Sequence, residues 1–128
     1  MKKNPELERE RELNRQRNEA QDAERRRGYE TAKSENPNID TMSNADLFVA
    51  AMRASVNTGI SIFYLDYTDR EFLLGMYMFF MEKIRERGLR EYFNPSFEAY
   101  GAYDRAVMLR LPGVDGLKAA FLDSIPKD

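Results

Sequence analysis

Cysteine and histidine are both absent from this 128-residue chain, and each absence removes a class of chemistry. Without cysteine there are no disulfides and no thiolate metal sites. Small secreted domains often depend on such staples, so the composition points to a reducing compartment and, by expectation, to the cytoplasm. Without histidine the chain lacks the side chain that most often moves protons near neutral pH and most often ligates transition metals. Tryptophan is missing too. The net charge of −2 offers no basic excess for counterion-releasing contacts to nucleic acid. The longest apolar run, Phe72 to Met81, is ten residues between Glu71 and Glu82, and a membrane span needs about twenty. Charged residues follow Met1, Lys2 and Lys3 where the apolar stretch of a secretory signal would stand. No calcium-loop, zinc-protease or phosphate-loop motif occurs, and no serine has a histidine to activate it.

What is present is divided sharply. Residues 1–40 hold eight apolar side chains (Met1, Leu7, Leu13, Ala20, Ala23, Tyr29, Ala32 and Ile39), and residues 41–128 hold forty-six. Fourteen of the fifteen aromatics lie in the second block. A core needs apolar residues at helical or strand spacing, so the expectation is that only the second block builds one. The first block carries ten basic and ten acidic residues and is neutral; the domain holds the −2.

Pro5 suits the first turn of a helix. From Glu6 to about Ser34 strong helix formers dominate, with opposite charges at i,i+3 (Glu6/Arg9, Glu12/Arg15, Asp22/Arg25, Glu24/Arg27). Each pair adds only about 0.2–0.5 kcal/mol, but many together hold a solvated helix. Gly28 reads as the weak point of this helix, at about 1 kcal/mol relative to Ala. Leu13, Ala20 and Ala23 match a heptad seam only briefly, which is too little for a self-sufficient coiled coil. Pro37 with its Asn neighbours ends the arm.

Thr41 or Ser43 can cap a second helix, Asn44 to about Val56, with Asn57, Thr58 and Gly59 as its stop. Residues 60–67 are β-branched and aromatic. They read either as a strand paired with 106–111 in a minor two-stranded ribbon, or as a short helix or connector, which is the favoured reading. Thr68 and Glu71 form a capping box for a helix from Asp69 to about Arg87 that is apolar all round, and therefore buried, and closes at Gly88. Asn94 and Pro95 resemble an N-cap and first position for a helix reaching about Leu109. A last helix runs from Leu117 to about Ser124. The predicted fold is mainly α: a long charged N-terminal helix, residues 1–40 with its linker, followed by a compact helical domain of about four helices, residues 41–128.

Candidate chemistry is thin. Asp66, Asp69, Glu71, Glu98 and Asp104 are the acids that could pair for proton transfer, but first-turn acids are ordinary helix-dipole residues. Tyr64, Tyr67, Tyr77, Tyr92, Tyr100 and Tyr103 suit either a binding surface or the rim of a core. Met76, Met78 and Met81 read as core. The sharpest positive feature is Arg25, Arg26 and Arg27, with Arg85, Arg87 and Arg90 as a second basic group. A helix spreads three consecutive residues around its axis, so an ion-paired, solvated face is the plainer reading of the first group. The expectation is a non-enzymatic protein–protein interaction module without cofactor or metal, an assembly, scaffolding or structural subunit or homo-oligomer. Its charged arm would engage a protein partner through Arg11, Arg15, Arg25, Arg26, Arg27, Arg85, Arg87 and Arg90. The alternative is a small inhibitor or accessory protein that binds a nucleic-acid-handling complex through Arg-rich surfaces. Neither nucleic acid itself nor a membrane is the favoured partner.

Overall fold

Asn4 opens the first helix, its side-chain oxygen accepting from the backbone N–H of Glu6 at 3.0 Å and Leu7 at 3.4 Å. Pro5 stands at the first helical position, where its missing N–H removes nothing. The computed structural model describes the backbone of residues 4–64 and 67–128, and side chains outside 59–69. Five α-helices follow in order: α1 Pro5–Glu35, α2 Asn44–Tyr64, α3 Tyr67–Glu86, α4 Arg90–Met108 and α5 Val114–Asp123, with a 3-10 turn at Ile39–Thr41. Among the described residues there is no strand, and the fold is mainly α as predicted.

Several boundaries differ from expectation for identifiable reasons. Ser43 caps α2, its Oγ accepting from the Asp46 N–H at 3.1 Å. The helix then continues through Asn57, Thr58 and Gly59 to Tyr64. Thr58 stays in register by donating its hydroxyl to the Ala54 carbonyl at 2.8 Å, and one glycine costs the helix only about 1 kcal/mol. The ribbon therefore does not form: residues 60–64 are helical, 65–66 lie outside the described residues, and 106–108 complete α4. Leu109 to Leu111 close α4 in a Schellman motif. In it the Leu111 N–H meets the Ala106 carbonyl at 2.9 Å and the Arg110 N–H meets that of Val107 at 3.3 Å. α3 begins at Tyr67, ahead of the expected capping box; the Thr68 side chain is outside the described residues, and Glu71 is engaged elsewhere. α4 starts at Arg90 and runs through Pro95, which sits inside the helix. Proline leaves the carbonyl four residues back without a helical donor. That residue is Glu91, which is exposed, so water can serve it. Gly88 closes α3 as predicted, with φ +73° and the Leu89 N–H on the Ile84 carbonyl at 3.1 Å.

α3 is the organising helix, with α1 and α2 both packed along it and α5 paired with α4. The fully buried side chains include Leu47, Phe48, Met52, Phe79, Met81, Ile84 and Phe93. Burying side chains of this size contributes about 1.5–3 kcal/mol each. Phe93 carries α4 into this core, edge-on to Phe48 at 5.8 Å and to Phe97 at 5.6 Å between ring centroids. Tyr100 and Phe121 join α4 to α5 in the same manner at 5.2 Å. Buried Ser96 adds a polar lock, donating to the Ser124 carbonyl at 3.0 Å. Ala32 and Ile39 are also in the core cluster, so the leading block is not excluded from it. α3 is less enclosed than its composition predicts, because Met78 reaches solvent.

Candidate interaction surfaces

Gly28 and Gly75 bring α1 and α3 into backbone contact. A Cβ on Gly28 would lie 1.9 Å from the Phe72 carbonyl oxygen, and one on Gly75 would lie 1.8 Å from the Arg25 carbonyl oxygen. Only hydrogen fits at either position. Gly28 and Ala32, one turn apart, make the buried small-residue stripe of α1 that permits this approach. What reads in sequence as a defect in the arm is its point of closest docking. Two polar contacts flank the crossing. Arg25 donates through Nε at 3.0 Å and Nη2 at 2.7 Å to Oε2 of Glu71, a carboxylate that is almost wholly buried. Tyr29 donates its hydroxyl to Glu82 and sets its ring edge-on to Phe79 at 5.4 Å. The bond to Glu82, together with burial, pushes the Tyr29 phenol up to about 12. Since Arg25 meets Glu71 and Tyr29 meets Glu82, α1 and α3 run in the same direction.

N-terminal to this seam the character of α1 changes. Residues 4–20 are all exposed. The half-helix is held by local pairs such as Arg15 with Glu12, and Gln16 with Glu12 at 3.2 Å. At 1.5 Å per residue, residues 5–20 project about 24 Å. Leu7 and Leu13 are both exposed on it, six residues apart and so on different faces.

The eight candidate arginines separate by what they do. Arg11 and Arg15 lie on the projecting half. Arg25 is taken inward by Glu71. Arg27 pairs with Glu24 at 2.7 Å and covers the Phe72 ring at 4.4 Å. Arg87 is structural: it donates to Asn44 Oδ1 at 2.7 Å and to the Ile39 carbonyl at 2.9 Å. Buried Asn44 in turn donates to the Pro126 carbonyl at 2.9 Å and, through its backbone, to Asp128 at 2.7 Å. This ties the linker, the end of α3 and the C-terminal residues together. Arg26, Arg85 and Arg90 face solvent, Arg90 near the Phe93 ring at 5.8 Å. The two basic groups do not converge. Arg25–Arg27 sit beside residues 71–75 of α3, and Arg85 lies ten to fourteen residues further on, roughly 15–20 Å along the axis.

Arg26 borders an open cleft of about 270 Å³ in the α1–α3 seam, with Asp22, Arg25, Tyr29 and Met78. Of the candidate acids, Glu98 and Asp104 stand exposed on α4, Glu71 is held by Arg25, and the side chains of Asp66 and Asp69 lie outside the described residues, as do those of Tyr64 and Tyr67. No group of three or more acids is placed to hold a metal ion among the described residues. No helix among them is long and apolar enough to cross a membrane. Tyr77 and Tyr100 lie at the rim of the core, and Tyr92 is exposed.

Sequence reasoning missed a second exposed group. Val107, Met108, Leu109 and Leu111, read there as the end of a helix or as half of a possible minor ribbon, are exposed apolar residues where α4 turns into α5. The signal was the loss of helical periodicity in an apolar run next to Pro112 and Gly113. Comparison with protein-family models, with curated proteins and with solved structures finds no match.

Proposed function

We propose that this chain is a non-enzymatic protein–protein interaction module, an assembly, scaffolding or structural subunit whose charged arm engages a protein partner. The observation that carries this reading is the division of α1. Residues 25–32 are clamped to α3 by a backbone-close crossing and an ion pair from half-buried Arg25 to buried Glu71, while residues 4–20 stand in solvent. A helix anchored at one end and free at the other presents a charged rod from a fixed base. Its paired charges keep it helical without a core of its own, and a pre-formed rod loses less entropy on binding than a disordered tail. Engagement of nucleic acid through Arg-rich surfaces is the less supported alternative, because Arg25 and Arg87 are committed internally and the two basic groups lie apart.

The test is photo-crosslinking of the full chain in its native host. A crosslinking residue replaces Leu13 on the rod or, as control, Glu98 on the body. The expected result is a discrete protein adduct at position 13 that is absent at position 98 and lost in an Arg11→Glu, Arg15→Glu variant. Equal labelling at both positions, or adducts with nucleic acid alone, would overturn the reading.

A further inference from the structure

Met78 is 45 % exposed on a helix whose other described apolar side chains are buried or half-buried. It forms one wall of the open cleft in the α1–α3 seam, and Asp22, Arg25, Arg26 and Tyr29 form the other. Those four residues stand at i, i+3, i+4 and i+7, so they share one face of α1. At about 100° per residue, Arg11 and Arg15 on the rod fall within about 60° of the direction taken by Asp22, Arg26 and Tyr29. The wall of the cleft and the two rod arginines are therefore one continuous face, about 22 Å long from Arg11 to Arg26. Glu8 and Asp22 are the acids on it, and Asp22 lies 3.7 Å from the Arg25 guanidinium. Among the described residues neither Arg11 nor Arg26 has a side-chain hydrogen bond or ion pair. Arg15 has only its exposed local pair with Glu12.

We infer that this face seats an acidic amphipathic helix of a protein partner, with one large apolar side chain in the cleft and carboxylates opposite Arg26, Arg15 and Arg11. The cleft, at about 270 Å³, is smaller than the ~300–1,000 Å³ of small-molecule sites. Open on one side and walled by Met78 and Tyr29, it suits an anchor side chain of a docked helix. Exposed ion pairs contribute little affinity, so the anchor supplies the strength and the arginines supply orientation and choice of partner. A nucleic-acid strand fits less well. It carries a charge at every step and would set phosphates against Asp22 and Glu8, where a peptide can place a neutral residue. The Tyr29 ring, edge-on to Phe79 with its hydroxyl on Glu82, is not free to stack on a base. The inference deepens the interaction-module reading and rests on it, because it names the chemistry of the partner and extends its seat from the rod into the seam.

Peptide display against the full chain tests it, with a library of helical sequences about 20 residues long that spans acidic, neutral and basic compositions. The wild type should enrich acidic helices that carry a large apolar residue beside an acid. A synthetic copy of the most enriched peptide should bind with an affinity that falls as salt rises. Arg26→Glu and Met78→Asp should each weaken that peptide about tenfold or more, with helical circular dichroism unchanged. Arg85→Glu, the same charge change in the other basic group, should leave it unaltered. Loss in the Arg11→Glu, Arg15→Glu variant but in neither Arg26→Glu nor Met78→Asp would overturn the cleft as the seat and leave the rod reading standing. Enrichment of basic or neutral peptides, enrichment of none, or an equal loss in Arg85→Glu would overturn the proposal. An oligouridine that binds the wild type in place of any peptide, and is lost in Arg26→Glu, would overturn it in favour of nucleic acid.

Discussion

Replacing Gly28 or Gly75 with alanine puts a carbon against a backbone carbonyl that no rotamer change can move. Overpacking usually costs about 1–3 kcal/mol, and here the fixed backbone places the expected loss at about 3 kcal/mol or more. Gly101 is the matched control: it is also inside a helix, but a Cβ there meets nothing within 4 Å. Gly101→Ala should stabilise by about 0.5–1 kcal/mol. Chemical denaturation of the three variants separates the cases, and equal effects at all three positions would remove the crossing. Tyr29 supplies a second residue-scale prediction. Its phenol is pushed up to about 12 by the Glu82 carboxylate and by burial, while the unfolded chain ionises it near its ordinary value of about 10. The folded state therefore keeps a proton that the unfolded state loses, and the contribution falls as pH rises through that window. The stability advantage of wild type over Tyr29→Phe should be constant below about pH 10 and vanish by about pH 12, as read by unfolding at stepped pH.

At the scale of elements, local signals served best where ends depend on local chemistry. Pro5, Ser43 and Gly88 mark their helix ends through caps and a left-handed residue, all decided within a few residues of chain. The end of α4 is different, because Arg110 takes the role that glycine normally fills. Arg110→Gly should stabilise the fold by about 1 kcal/mol, measured by chemical denaturation. Reading failed where tertiary context decides. Asn57, Thr58 and Gly59 have the form of a helix stop, yet Thr58 bonds back to the Ala54 carbonyl and α2 runs on through the β-branched and aromatic stretch at 60–64, in line with the favoured helical or connector reading of that stretch. Asn94 and Pro95 have the form of a helix start, yet Phe93 buried against Phe48 holds the preceding turn in the helix. Gly28 was unreadable in isolation for the same reason: its role depends on Gly75, forty-seven residues away in sequence. Of the candidate arginines, the sequence identified the basic groups but could not show that Glu71 and Asn44 would claim two of them.

For the whole molecule, the charged leading third is neither a free arm nor a simple part of the core. Its C-terminal half supplies a wall of the fold, and its N-terminal half leaves the body as a rod. That division follows from side-chain size and spacing: Gly28 and Ala32 allow contact, whereas residues 5–20 offer only Leu7, Leu13 and the small Ala20, with Leu7 on a different face from Leu13. Hydrogen–deuterium exchange of the full chain at low concentration tests this division most directly. Exposed helix amides open with little cost, whereas docked ones open only with the structure that covers them. Amides of residues 25–35 should be protected to the level of residues 79–84 in α3, and those of residues 6–20 should exchange orders of magnitude faster. Uniform protection along α1, or exchange of 25–35 as fast as 6–20, would contradict an anchored, projecting helix.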